Sequence, residues 1–399
     1  MNEDTEFDII IAGGGLSGLS FLHEILSMPS FKEKKILVID VDRKYANDRT
    51  WSFWDLPDYN IPDIPSKKWK YGKVIDKSGI TIDFNFEPFV YQTIRSSDFY
   101  QFVYEQAKEH PNVVFHFEEI LTCHNSGFVE CTNGRFKGKL IIKSYYDKDK
   151  FSIPKNSDNI LLWQHFKGWI IKTPHECFHD DRVTLMDYRI ATGNLNQFIY
   201  ILPFSKTEAL VEYTEFSNRN FKEVDSSSFI KSYISDNLLI TDYKILDEEV
   251  SSIPMTDYIF RPIINGKVIN IGTNAGYVKP SSGYCFTRTI FKIRNLVKLL
   301  DTNMLREKNL MPKFSFWVFD SILLESFTKG VITGQDVYLE LFRKQRDLNR
   351  VHLIFKFLDE NTSFKENVKI LYSMPKKLSL TIIFLKCLIL GKYFRKFYL

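Results

Sequence analysis

Asp8-Ile-Ile-Ile-Ala-Gly13-Gly-Gly15-Leu-Ser-Gly18 reads as an apolar strand, a glycine turn and the first turn of a helix. A G-x-G-x-x-G carries meaning only in that setting, where the glycines permit the tight turn, the approach of a pyrophosphate and close helix–strand packing. Asp40 closes the next apolar strand, Ile36–Ile39, and is well placed for a ribose hydroxyl. A plain tight turn is the alternative, and the order of strand, glycines, helix and acid weighs against it. Strand 7–12, helix 16–28 and strand 35–40 then form a first βαβ unit, with a helix over Ser97–His110 capped by Ser96 or Ser97 and a parallel strand at Val113–Phe117.

A second glycine-rich stretch lies late in the chain. Ile271-Gly272-Thr273-Asn-Ala-Gly276 follows a strand at 266–271 and closes on Pro280-Ser-Ser-Gly283-Tyr284 before a helix. FAD proteins cover the flavin end with such a segment, and a helix N-terminus there suits a phosphate or a polarised carbonyl. On composition alone, an ordinary loop explains Gly272, Pro280 and Gly283 as well.

Segment 69–86 reads as a hairpin, and from about 125 to 262 strands dominate: 127–131, 138–143, 160–172, 183–188, 197–203, 208–216 and 245–253. A strand run inserted into a nucleotide domain implies an antiparallel sheet roofing the cofactor. The expected fold is α/β: a discontinuous Rossmann-like FAD-binding domain (1–58, 89–150, 263–330), a β-rich substrate domain (59–88, 151–262) and a helical C-terminal region (331–399).

Composition narrows the partners. The net charge of +4 gives no sign of nucleic acid, and aromatics reach 15%, with 35 Phe, as a large apolar cavity or a Phe-rich core would use. Cys123, Cys131, Cys177, Cys285 and Cys387 are scattered, with no C-x-x-C, which fits a reducing compartment. The eight histidines form no paired motif, so no metal site is expected. His165, among strand aromatics, reads best as a satisfied core histidine. The acidic start leads straight into a strand, so a cytoplasmic protein without signal peptide is expected. Leu378–Leu390 is apolar but too short for a bilayer of about 30 Å. From Lys376 onward come six basic residues and no acid, which suits peripheral docking on an anionic membrane surface as well as a packed terminal helix.

For chemistry, Glu212 stands out. Alternation puts Leu210, Glu212 and Thr214 on one strand face and Val211, Tyr213 and Glu215 on the other. A carboxyl among apolar neighbours facing a cavity has a raised pKa and can donate a proton; an exposed strand glutamate is the alternative. Asp48 and Arg49 offer a paired charge near the cofactor, or a surface-turn salt bridge. Trp51 and Trp54 suit a cavity wall or core. Asp187 is placed to orient Arg189, to line the cavity, or to form a structural ion pair.

Taken with Asn47-Asp48-Arg49-Thr50-Trp51, these stretches resemble the lycopene cyclase family. Further matching strings are Arg95-Ser-Ser-Asp-Phe99, Gln164-His-Phe-Lys-Gly168-Trp169, Met186-Asp187-Tyr188-Arg189, Tyr200-Ile-Leu-Pro203-Phe204, Val211-Glu212-Tyr213-Thr214 and Phe319-Asp320. The resemblance implies cofactor-binding roles for Gly13, Gly15, Gly18, Asp40, Arg95, Gly272, Thr273, Pro280 and Gly283, and catalytic roles for Glu212, Asp48, Arg49 and Asp187. It also implies reduced FAD with NAD(P)H as reductant, and lycopene as the apolar polyene substrate, cyclised to β-rings without net redox change. Three departures stand out. Family members often carry a second acid where this chain has Tyr213, which puts an adjacent acidic pair in doubt. Gly272-Thr273 replaces the Gly-Asp of monooxygenase-like flavoproteins, as it does in the cyclases. Ile141-Ile-Lys143-Ser144 lacks the acidic, glycine-containing string of related enzymes. A redox flavoenzyme of geranylgeranyl reductase or monooxygenase type is the competing expectation.

Overall fold

The computed structural model describes residues 6–146, 153, 159–191, 196–218, 223–264 and 267–375. The basic tail and its expected membrane docking lie outside them.

Five short apolar strands build the parallel centre of an eight-stranded sheet. They are Glu6–Ala12, Ile36–Asp40, Val113–Phe117, Arg135–Lys143 and Val268–Asn270. Numbered by their sequence, their spatial order is 3-2-1-4-5, with every one of the four pairings parallel. Ile36–Asp40 is buried at every position, as a strand covered on both faces must be. The order reverses between Glu6–Ala12 and Arg135–Lys143, so a crevice opens at their carboxyl ends, where ligands of doubly wound sheets bind. The hairpin Ile120–His124/Phe128–Cys131 and the short strand Ile263–Ile264 complete this sheet antiparallel to its neighbours.

The second sheet has seven strands. Their order is Lys244–Thr256, Leu161–Lys172, Glu208–Ser217, Asn196–Pro203, Arg182–Asp187, Tyr71–Ile75 and Thr81–Asn85. All its pairings are antiparallel except that of Arg182–Asp187 with Tyr71–Ile75. A third, three-stranded sheet joins Thr50–Asp55, Val90–Arg95 and Ser66–Trp69. Residues 66–69, expected in the β-rich substrate domain, pair with Val90–Arg95, a strand within the segment 89–150 expected in the other domain.

Each face of the seven-stranded sheet packs on helices. One face meets helices from 314 onward, where Phe316, Leu323, Phe342, Phe355 and Phe357 join Leu210, Phe198 and Phe216 in a single core. The other face, with Ile199, Ile201, Val211 and Tyr213, is covered by Glu223–Asp236. That helix falls between the expected strands 208–216 and 245–253, in a region where strands are expected to dominate. Its Ser-rich sequence is a modest helix former, yet Ile230, Tyr233 and Ile234 stand at i, i+3 and i+4 and bury fully.

The helix after Val90–Arg95 also differs at its start. Arg95 occupies the cap position without a side-chain bond, and Ser96 is the first helical residue. The Ser96 hydroxyl is committed elsewhere. It donates to Asp48 Oδ1 at 2.7 Å and accepts from the backbone N–H groups of Asp48 and Arg49. Ser96 thus ties the Asn47–Arg49 turn to this helix.

Candidate active site and cofactor cradle

The glycine turn sits in the crevice at the strand-order reversal. Gly13 has φ +110°, and a Cβ there would lie 2.5 Å from the Tyr145 nitrogen, at the end of the strand across the crevice. Gly18 allows no side chain either, since a Cβ would come within 1.9 Å of the Gly13 carbonyl oxygen. Gly15 differs, because a Cβ on it would meet nothing within 4 Å. It caps Leu16–Leu26, an 11-residue helix without a side-chain cap or a first-turn acid, so unfilled N–H groups and open space coincide at one point. That combination fits a pyrophosphate. Asp40 accepts from the Gly14 N–H at 2.5 Å through Oδ2, while Oδ1 lies 3.5 Å from Lys44 Nζ. Gly272, at φ +69°, closes on the same helix, with a Cβ meeting Ser17 Oγ at 2.8 Å. The residues present fit a dinucleotide.

The rest of the late segment has two sides. Thr273 and Pro280 face a small pocket together with Arg288. Gly283, at φ +74°, lies against Gln164 of the second sheet, where a Cβ would sit 1.8 Å from Oε1. An ion network holds the segment to the C-terminal helices: Lys279, 0% exposed, reaches Asp320 at 2.8 Å and Glu360 at 3.2 Å, and Arg288 also pairs with Glu360. Arg288 and Lys279 hold Glu360 well below the usual carboxylate range against the opposing effect of burial, while burial and nearby Arg288 push Lys292 down to about 8. Arg95 is exposed at the start of its helix, and no cradle contact of its side chain is evident.

A second cavity lies between the seven-stranded sheet and the C-terminal helices. Its walls include Trp51, Trp54, Phe166, Phe198, Phe216, Phe342 and Phe355, with the 281–286 loop at one side. Its volume is about 200 Å³, below the roughly 300–1,000 Å³ of a pocket that encloses a drug-sized molecule. It suits one end of an elongated apolar ligand.

Glu212 stands in that wall with Leu210, Thr214 and Phe216, and Val211 and Tyr213 point to the opposite core, as the alternation requires. Glu212 is 8% exposed and accepts from Thr214 Oγ1 at 3.0 Å. Burial, then the neighbouring Glu249 carboxylate, push its carboxyl well above the usual range. Glu249 faces the cavity from the strand Lys244–Thr256, and sequence reasoning missed it. Three phenols cluster nearby: Tyr91 Oη lies 2.5 Å from Tyr200 Oη and 2.9 Å from Tyr284 Oη. Burial raises all three well above the ordinary phenol range, so they stay neutral.

The remaining expected site residues lie elsewhere. Asp48 and Arg49 do not form a charge pair. The Asp48 carboxylate takes the Ser96 and Tyr100 hydroxyls, while Arg49 Nη1 donates to the Asp48 carbonyl at 2.5 Å. Neither lines the cavity; their turn delivers Thr50 and Trp51, which do. Asp187 is 0% exposed and does not reach the cavity either. It pairs with Arg189 at 2.6 Å and accepts from Tyr233 Oη at 2.5 Å, against the helix on the outer face. His165 is buried beside Ser252 Oγ at 2.7 Å. No cluster able to hold a metal ion occurs among the described residues.

The family described as lycopene cyclase protein matches residues 8–382. The chain belongs to the lycopene cyclase family. A capsanthin/capsorubin synthase of Citrus sinensis is 23% identical over 313 residues, 71% of this chain and 58% of that one. A lycopene beta cyclase of Narcissus pseudonarcissus is 28% identical over 134 residues, 31% of this chain and 26% of that one. The chain thus spans little more than half of the first relative's length and about a quarter of the second's. Among solved structures, a geranylgeranyl bacteriochlorophyll reductase-like protein of Thermoplasma acidophilum superposes with TM-score 0.65 at 12% identity, covering 94% of this chain and 98% of that one. A flavin-dependent brominase gives 0.60 at 13%, covering 89% and 94%. The likeness in structure is one of fold, a mixed α/β architecture.

The open space at Gly15 generates a sharp expectation. A Cβ at position 15 meets nothing within 4 Å, so Gly15→Val folds and melts like the dinucleotide-free parent but carries no dinucleotide, because its side chain takes the pyrophosphate's place. Absorbance and melting of the purified variant check this. Parental dinucleotide occupancy would move the pyrophosphate away from this turn.

Proposed function

We propose that this chain is a lycopene β-cyclase, converting acyclic ψ end groups to β-rings with no net redox change. The observation that carries the reading is Glu212, a buried carboxyl with an elevated pKa in the wall of an aromatic cavity, in a chain of the lycopene cyclase family. Family membership and the flavoprotein fold support FAD in the glycine cradle, in reduced form, with NAD(P)H as outside reductant. Bound there, reduced flavin supplies electron density that stabilises a nearby cation, the kind of preorganised charge that often dominates catalysis.

The chain's own residues then have defined work. Glu212 delivers its proton to C2 of the ψ end group, leaving a tertiary cation at C1. Closure of C1 onto C6 moves the cation to C5, and loss of the C6 proton gives the β-ring. Trp51, Trp54 and the phenylalanines exclude water, which would trap the cation as an alcohol, and indole faces attract cations by about 0.5–2 kcal/mol. The neutral phenols of Tyr200 and Tyr284 line the same space without offering a competing base.

A substrate this apolar is drawn from lipid, and we assign the basic tail from Lys376 to peripheral membrane docking on the cytoplasmic side. No helix among the described residues is long and apolar enough to cross a membrane. Deleting 376–399 lowers binding to anionic vesicles, and added salt weakens the binding of the full chain. Equal binding to neutral and anionic vesicles without a salt effect would remove the tail from this role.

Glu212→Gln keeps size and polarity but not the proton. Conversion of lycopene falls by about 10²–10⁴-fold or more, with normal folding and flavin content. In the parent, the rate declines as pH rises through the elevated pKa of Glu212, because only the protonated form donates. Near-parental conversion by a flavin-loaded Gln variant would assign the acid elsewhere.

A further inference from the structure

Two strands that never touch each other bring a second carboxyl to the cavity. Leu161–Lys172 lies between Glu208–Ser217 and Lys244–Thr256, and in its register one residue, Gly168, stands opposite both Glu212 and Glu249. A side chain at 168 would occupy the space between the carboxyls. Its Cβ would sit 3.3 Å from Glu249 Cγ and 3.4 Å from Glu212 Cβ. With glycine there, the two side chains lean over the middle strand towards one another, close enough for each to shift the other's proton affinity. Both face the apolar cavity.

We propose that Glu249 is the working partner of Glu212 in the proposed cyclisation, the two carboxyls sharing one proton across the gap that Gly168 leaves. The surroundings of the two carboxyls differ. Burial raises Glu249 as well, but the Thr50 hydroxyl and the Arg49 guanidinium oppose that effect and favour its anion. Glu212 has Leu210 and Phe216 on its own strand, and the Thr214 hydroxyl is the group that favours its charge. Glu212 therefore carries the proton and donates to the Glu249 carboxylate. Two like charges this close cannot both be accommodated cheaply, so the pair keeps one proton near neutral pH. The other charged or titratable groups facing the pair are Asp247 on the strand of Glu249, and Tyr200 and Tyr284 beside Glu212.

The proton balance closes within the pair. In the forward step the Glu212 O–H bond breaks and a C–H bond forms at C2, leaving two carboxylates facing the substrate cation. When the C6–H bond breaks, its electron pair forms the ring double bond and the proton returns to the dianionic pair. The site ends as it began, with one proton and no co-reactant consumed. This inference rests on the cyclase reading, and it gives Arg49 a role: it helps keep Glu249 anionic. It also supplies the second acid that Tyr213 removes from the adjacent position.

The test is a pH titration of the protonated-carboxyl infrared band of the whole protein, alongside the pH profile of lycopene conversion. In the parent one component of the band persists above neutral pH, and the difference between parent and Glu212→Gln isolates it from other buried carboxyls such as Asp359, which burial pushes up to about 7. Glu249→Gln removes the neighbouring charge at constant size. The midpoint falls by about one pH unit or more, and the alkaline limb of the conversion profile moves with it, while Glu249→Asp retains most of the elevation. Gly168→Ala, which parts the carboxyls once Leu210 Cδ1 turns aside from 2.7 Å, gives the same downward shift. An unmoved midpoint in folded Glu249→Gln or Gly168→Ala protein overturns the pairing. The band needs no turnover. A shift in a parent that never cyclises lycopene leaves the pairing standing and defeats the cyclase reading; turnover without the shift defeats the pairing alone.

Discussion

Burying a carboxyl in an apolar wall is unfavourable for its charged form, and much of this molecule keeps Glu212 in that condition. The seven-stranded sheet holds it on a rigid strand, between Leu210 and Thr214. The helices from 314 onward close the cavity with phenylalanines, and the outer helix Glu223–Asp236 covers the other face of the same sheet. Were the aromatic cover removed, water would solvate the carboxylate and its elevated affinity for a proton would disappear. The acid is therefore a property of the packing as much as of the residue.

The cofactor cradle reaches the same cavity through one continuous segment. Gly272 closes on the first helix, Lys279 and Arg288 bind Asp320 and Glu360, and Gly283 lies against Gln164. Residues 281–286 then form one side of the cavity. Buried ion networks of this kind contribute little net stability, but breaking one partner leaves an unpaired buried charge at a cost of about 3–5 kcal/mol. This network fixes where the loop between the two sites runs. The Asn47–Arg49 turn does the same from the other side, with Ser96 and Tyr100 holding it so that Thr50 and Trp51 enter the wall.

What the sequence disclosed followed from local periodicity. The glycine turn and Asp40 stand in order along the chain, and alternation alone puts Glu212 on the face of Leu210 and Thr214. What it concealed depends on register and on competition between partners. Glu249 is 37 positions from Glu212, and only the pairing of both their strands to Gly168 brings the two together; a slip of one residue would turn either carboxyl to the opposite face. The adjacency of Asp48 and Arg49 suggests a pair, yet hydroxyls from the next helix claim the carboxylate. Asp187 pairs with Arg189, the structural ion pair among the readings open to it, because a helix invisible to strand counting supplies Tyr233. Poor helix propensity in Glu223–Asp236 masked an i, i+3, i+4 pattern that was present.

If a proton enters at C2 and another leaves from C6, the reaction exchanges hydrogen with the medium but gains nothing. Cyclisation in heavy water, with lycopene and the reduced, flavin-loaded protein, reads this out in the mass of the product. With the carboxyl pair exchanging with the medium between ring closures, the account predicts one deuterium retained per ring formed, a hydrogen count otherwise equal to that of lycopene, and no stoichiometric use of NAD(P)H. A product carrying two additional hydrogens or an added oxygen, with NAD(P)H consumed one for one, would contradict it and make the protein a redox enzyme.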